Sequence, residues 1–305
     1  MKKIIDIIFL SRPVLLIPVF VFITLGYLDN GPFSIRFSLD SKLLYHLIFY
    51  SFIMFSVHLT NNINDAEADR ENSGPGRIDF SKIPLKWLYV TAILFAFVGL
   101  TGALLSGDIW IIIIYASTLV LGFLYNFKPF YFTGRPFLDF LSNGVEYGIL
   151  CYLLGKRLSM DPNPNFKSLF AYFTVMAAGS IASTATDVRG DKKGGKITTA
   201  VFLGVKKALI LGTSFLVMAL VFGIARSNPV VVISSGLSVF VFLGVIVLDR
   251  DEKFLVYTYQ IGGGLLILLT HIYYPILFGL TLFLIGITMV YFKLRHHTIY
   301  PRIGF

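Results

Sequence analysis

Asn61-Asn62-Ile63-Asn64-Asp65-Ala66-Glu67-Ala68-Asp69-Arg70 follows directly on a long apolar run. After another apolar run, 122 positions beyond Asp65, comes Asp187-Val188-Arg189-Gly190-Asp191-Lys192, again with two aspartates four apart. Residues four apart on a helix are offset by about 40° around its axis, so Asn61, Asp65 and Asp69 form one stripe of oxygen donors and Asp187 with Asp191 a second. Crowded carboxylates repel one another unless a cation lies between them, and hard divalent ions such as Mg²⁺ prefer oxygen ligands. Acidic residues at the exit of a single membrane helix read equally well as solvated loop charges. Their repetition after two apolar segments favours a shared metal site.

The setting of these motifs is a membrane. The chain of 305 residues is 56% hydrophobic and 14% charged, with a mean hydropathy of +0.77, too apolar for a water-soluble domain. Apolar runs near the roughly 20 residues that cross a bilayer lie at about 4–28, 42–64, 83–106, 109–125, 137–155, 167–186, 203–225, 229–248, 254–273 and 275–292. These ten candidates define an all-α, multi-pass membrane protein, with the last two poorly separated. Lys2 and Lys3 precede the first run as they would in a signal peptide, but the run is long and lacks a small-x-small cleavage site, so it reads as a retained helix.

Cations set the orientation. With the N-terminus inside, twenty of the 26 lysines and arginines fall in inner segments and six, Arg36, Lys42, Lys156, Arg157, Lys167 and Arg226, in outer ones. Short loops rich in Lys and Arg stay on the cytoplasmic side, so both aspartate motifs are expected to face the cytoplasm from the cell membrane. The net charge of +9 then reflects topology and an anionic lipid surface; no nucleic-acid recognition motif is present.

Further polar residues collect on the same inner side. Arg12, in Ser11-Arg12-Pro13, reads either as an interfacial arginine or as a diphosphate contact. Arg77 lies in the long loop after the first motif. Tyr125-Asn126-Phe127-Lys128-Pro129 and Arg135 follow the fourth apolar run, and Lys192-Lys193-Gly194-Gly195-Lys196 follows the second motif. Asn143, Glu146 and Tyr147 interrupt the fifth run, where polar groups are costly and face either a cavity or a neighbouring helix. An apolar run ending in Asp-x3-Asp occurs twice, four helices apart. This suggests one domain over 1–305 holding two pseudo-repeats, about 1–136 and 137–273, related by an axis along the membrane normal.

Paired oxygen-donor motifs, surrounding cations, 30 Phe and 16 Tyr suit an amphiphile with a diphosphate head and a hydrocarbon tail. Metal and cations stabilise charge on a departing diphosphate, and aromatic faces stabilise the allylic cation left behind. The motifs Asn61-x3-Asp65-x3-Asp69 and Asp187-x3-Asp191-x4-Lys196-x-Thr198, with Ser11-Arg12-Pro13, Tyr125 and Asn143 to Gly148, resemble the UbiA superfamily of intramembrane prenyltransferases. The resemblance implies a bundle of about nine membrane helices around a central cavity. It also implies Mg²⁺-dependent transfer from a prenyl diphosphate to an aromatic (quinone-precursor) or lipid acceptor. By it, Asn61, Asp65, Asp69, Asp187 and Asp191 hold the metal. Arg12, Arg77, Lys128, Arg135, Lys192 and Lys196 meet the diphosphate, and Tyr125, Asn143 and Tyr147 line the cavity or stabilise the cation. Two departures stand out: Arg77 is followed by Ile78 rather than Pro, and position 129 is Pro where the family has Lys in Tyr-x3-Lys, so Lys128 and Arg135 enter by proximity.

The spacing of Asp65, Glu67, Asp69, Asn72, Pro75 and Arg77 is somewhat like the archaeal branch that makes ether-lipid precursors, which keeps geranylgeranylglyceryl phosphate prenyl transfer as an alternative. A CDP-alcohol phosphatidyltransferase would carry its aspartates in one compact stretch, which is absent. A membrane transporter for a phosphorylated amphiphile is the non-enzyme reading; it would place charges and broken helices at mid-membrane, whereas here the charges gather at one face.

Overall fold

The computed structural model describes residues 2–30, 34–38, 40–65, 83–248, 254–298 and 300–301. All regular structure among them is helical. In chain order the helices are α1 (Lys2–Leu10), α2 (Leu16–Leu28), α3 (Ser41–Asn64), α4 (Leu85–Leu105), α5 (Ile109–Asn126), α6 (Leu138–Asn143), a π-helix (Gly144–Cys151) and α7 (Tyr152–Leu158). They continue with α8 (Phe166–Thr186), α9 (Val188–Lys193), α10 (Thr199–Leu203), α11 (Val205–Arg226), α12 (Pro229–Val247), α13 (Leu255–Tyr273) and α14 (Ile276–His296).

Among the described residues nine segments are individually long and apolar enough to cross a membrane, the first, Ile4–Leu28, joining α1 and α2. The helical run 138–158, divided by the π-helix, is not among the nine; Asp139 near its start meets Thr199, and Lys156 near its end meets Asp29. The chain is thus a multi-pass membrane protein. The two C-terminal apolar runs are separate helices, parted at Tyr274-Pro275.

Helix α2 is the axis of the bundle: every residue from Val19 to Gly26 is buried. It crosses α7 at Gly26 and Gly155, where a Cβ on either glycine would run into the carbonyl oxygen of Tyr152 or Ile23. Small residues permit such close backbone approach where lipid leaves no hydrophobic drive between helices. Large apolar side chains such as Ile93, Phe97, Phe240 and Val247 point outward into the space a bilayer fills.

Far from the acidic motifs, the bundle is closed by buried charge. Asp29, 1% exposed, accepts a hydrogen bond from the Tyr152 hydroxyl at 2.8 Å and an ion pair from Arg226 at 2.9 Å. Lys156, equally enclosed, donates to the Asp29 carbonyl and to Asn30 at 3.1 Å, while Arg157 pairs with Asp108 at 2.7 Å. Three cations that a count of loop charges treats only as outward-lying are therefore a clamp joining α2, α5, α7 and α11.

Candidate active site

Helix α3 ends where Asp65 takes over as its C-terminal cap, its N–H still donating to the Asn61 carbonyl at 2.8 Å. The Asn61 amide donates to Asp65 at 2.9 Å and to Asn126 at 3.0 Å, and Asn126 in turn donates to Thr60 and Val57. The last turn of α3 is thereby fixed to the end of α5. A third partner of Asp65 is the hydroxyl of Tyr131, donating at 3.2 Å.

The second motif is brought over by its own loop. Gly195 takes φ +74°, a conformation open to glycine, and turns the chain so that the Lys196 N–H donates to the Asp191 carbonyl at 2.8 Å. Ile197 donates to Gly134 at 3.1 Å, and Asp139 accepts from both the N–H and the hydroxyl of Thr199. Stitched this way to the loop before α6, Lys196 reaches Asp65 with its ammonium 2.7 Å from Oδ2, and both side chains are buried. Thr198 donates to Asp191 at 3.3 Å. Arg12, Tyr131 and Phe137 all hold positive φ without being glycine, and all lie at this end. Such strain persists only where the surroundings over-determine it, as at binding sites.

Deeper in the bundle, Asn143 donates to the hydroxyls of Tyr125 at 3.2 Å and Ser180 at 3.0 Å, so it is tied to both α5 and α8. Tyr147 sits in the π-helix, and its hydroxyl lies 2.9 Å from His58 on α3. Asn143 and Tyr147 thus meet different helices, α5 and α8 for the first and α3 for the second. Glu146 beside them is buried, and its Oε1 has no hydrogen-bond partner among the described residues.

Of the residues singled out from sequence, Asn61, Asp65, Asp191 and Lys196 are drawn together, with Asp187 close enough to act on Asp191. Arg12 acts on Tyr147 and His58 from the break between α1 and α2. Lys128, Arg135 and Lys192 are exposed at the rim, and Arg135 donates to the Pro129 carbonyl. Asp69 and Arg77 lie outside the described residues. Sequence reasoning passed over Asn126, Tyr131, Thr133 and His58 as site residues. A buried Asn at the end of an apolar run was the available signal for the first, whereas the others gain meaning only from tertiary contacts.

The donors fit Mg²⁺ in kind, being amide and carboxylate oxygens. Among the described residues no three His, Cys, Asp or Glu side chains converge on one ion position, and the Lys196 ammonium supplies the positive charge beside Asp65. Burial disfavours that ammonium, but the Asp65 carboxylate outweighs it and holds the lysine above its ordinary range. Asp191 goes the other way. Burial, reinforced by Asp187 and Asp65 against the opposing pull of Lys196, raises it to about 6.

A pH dependence follows with a definite sign. In the ligand-free protein the raised Asp191 favours the folded state below its ordinary value of 3.8, and that contribution is lost as pH rises through about 6. Cation binding needs the ionised form. Metal-dependent donor binding should therefore weaken below about pH 6, approaching tenfold per pH unit as one proton competes. Titrations between about pH 5 and about pH 7 check this; an affinity constant over that interval would contradict it.

A many-spanning membrane bundle with two acidic motifs meeting at one end defines a class of intramembrane protein built to take a charged head group and an apolar tail. The sequence pattern of the UbiA prenyltransferase family matches residues 15–254, and the chain belongs to that family. It is similar to the digeranylgeranylglyceryl phosphate synthase of Methanosphaera stadtmanae, 29% identical over 172 residues. That match covers 55% of this chain and 61% of the relative, less than two thirds of its length. Among solved structures, a digeranylgeranylglyceryl phosphate synthase shares the fold with a TM-score of 0.67 at 20% identity, over 89% of this chain and 98% of that one. A UbiA homologue from Archaeoglobus fulgidus bound to GPP and Mg²⁺ does so with a TM-score of 0.64 at 18% identity, over 85% and 96%.

Proposed function

We propose that this protein transfers a prenyl group from a prenyl diphosphate to a glycerol-phosphate-type lipid acceptor in the membrane. The observation that carries the reading is the meeting of Asp65 and Asp191 at Lys196, at the mouth of an otherwise apolar bundle. The acceptor class follows the name of the Methanosphaera relative.

Asn61, Asp65, Asp69, Asp187 and Asp191 would hold Mg²⁺, which supplies charge neutralisation for the departing diphosphate. Lys196 and Arg12 contact the diphosphate from the interior, and Arg77, Lys128, Arg135 and Lys192 draw it in from the rim. Tyr125, Asn143 and Tyr147 line the way to the hydrocarbon chain, with the Tyr147 ring facing the carbon on which positive charge develops. Only stabilisation that is stronger in the transition state than in the bound donor raises the rate. A desolvated cation–π contact of about 1–2 kcal/mol corresponds to about five- to thirtyfold. Tyr147→Leu should slow turnover by about that factor with donor affinity kept. Tyr147→Phe should keep the rate but lose about 1–3 kcal/mol of stability, because it leaves buried His58 without its hydroxyl partner. Equal rates in the two variants would make Tyr147 a packing residue.

The test of the function is a transfer assay in lipid nanodiscs with labelled geranylgeranyl diphosphate, offering geranylgeranylglyceryl phosphate or a hydroxybenzoate. Mg²⁺-dependent product with the glycerol phosphate is the expected result. Product only with the aromatic acceptor reassigns the acceptor, and no product or diphosphate release with either rejects the reading. The surplus of cations in the motif-side loops supports an orientation with both motifs at the cytoplasmic face of the cell membrane. A cysteine at Gly194, in a Cys151→Ser background, should resist impermeant reagents in intact cells; labelling there would reverse the orientation.

A further inference from the structure

We propose that Lys196 is a built-in placeholder for the metal: its ammonium neutralises the acidic motifs until a diphosphate arrives, so that metal binds together with diphosphate and hardly at all without it. This rests on the reading above and adds an order of binding to it.

The oxygens of Asp65 are already committed. Oδ2 receives the Lys196 ammonium at 2.7 Å and the Asn61 amide at 2.9 Å, while Oδ1 receives the Tyr131 hydroxyl at 3.2 Å. A divalent ion reaching for Asp65 meets the ammonium on the same oxygen, and two positive charges at that distance in a poorly solvated pocket repel strongly. The lysine must therefore leave, yet it has little to move to. Its other side-chain hydrogen bond among the described residues is to the Thr133 hydroxyl at 3.5 Å, and it is 6% exposed, so displacement by a bare ion would cost it its 2.7 Å pair with no solvent to take its place.

A diphosphate changes this balance by bringing anionic oxygens that accept the ammonium. The movement required is small. The backbone at Lys196 is pinned by its own bond to the Asp191 carbonyl and by Ile197 to Gly134, leaving the flexible four-carbon stem to swing. Metal and diphosphate then raise each other's affinity by the same factor, as any coupled pair of ligands must.

Mn²⁺ is a suitable probe, its free form counted by electron paramagnetic resonance with the full-length protein in nanodiscs. Wild type should bind Mn²⁺ weakly alone and about tenfold or more tightly once inorganic diphosphate is added, within the usual span of such couplings. Lys196→Met should bind Mn²⁺ alone about tenfold more tightly than wild type, and diphosphate should add little. Lys196→Gln carries the same expectation if the Met variant does not fold, and Lys196→Arg, which keeps the charge, should behave as wild type. Tight Mn²⁺ binding by wild type without diphosphate overturns the proposal on the unmodified protein, as does a folded neutral variant that binds Mn²⁺ no better. The Mn²⁺-alone measurement needs no prenyl donor, so a failed transfer assay would sink the functional reading and leave this result standing.

Discussion

Asp65→Asn and Asp191→Asn should each lower Mg²⁺-dependent prenyl transfer by about 10²–10³-fold, the usual cost of removing one preorganised electrostatic group from an active site. Asparagine is the informative replacement because it keeps volume and an acceptor oxygen while removing the charge. At position 65 its one oxygen can still accept from Asn61 while its amide N–H donates to the Tyr131 hydroxyl oxygen, so the end of α3 holds its place. At 191 it can still accept from Thr198. What disappears in both is the negative charge that a divalent ion and its diphosphate require. The two carboxylates act as one unit, so the double variant should fall well short of the product of the single losses. Turnover within about threefold of wild type in either single variant would remove that residue from the site.

The second large effect lies at the other end. Asp29→Ala should destabilise the bundle by about 3–5 kcal/mol, the cost of deleting one partner from a buried charge pair and leaving the other charge unpaired. The Tyr152 hydroxyl on α7 and Arg226 on α11 lose an acceptor together, while Lys156 keeps the carbonyl of residue 29, the Asn30 amide oxygen and the Asp161 carboxylate at 3.4 Å. Thermal unfolding in nanodiscs reads the loss. Prenyl transfer per folded molecule should stay near wild type, since nearby Tyr27 holds Asp40 at the start of α3 whereas Asp65 caps its far end. A stability change below about 1 kcal/mol would reduce the clamp to an ordinary surface pair.

Much of this architecture is written in one-dimensional patterns. Among the described residues the apolar runs become helices within a few residues of their expected limits, nine of them long and apolar enough to cross a membrane, because a bilayer imposes a fixed length on any segment that must satisfy its own backbone. The acidic motifs are equally plain, since carboxylates at helix ends stand out against so little charge. Pairing is less legible. Lys196 reads as one of several loop lysines, and only the turn at Gly195 together with the bonds to Gly134 and Asp139 carries it to Asp65. The same applies to Lys156, Arg157 and Arg226, whose counter-ions are up to 197 positions away in sequence. Nor does the sequence announce the π-helix. Its wider turn sits where Gly148 lets the backbone close on Phe173 and Tyr172 of α8, a contact set by tertiary packing, and Tyr147 within it meets His58.

The central claim is that both aspartate motifs hold one metal–diphosphate unit. The most direct measurement is the broadening by Mn²⁺ of the ³¹P resonances of bound geranyl diphosphate, recorded for wild type, Asp65→Asn and Asp191→Asn. Strong broadening in wild type that is lost in both variants is the predicted result; broadening that survives in either variant, or phosphorus signals in wild type that ignore Mn²⁺, would contradict it.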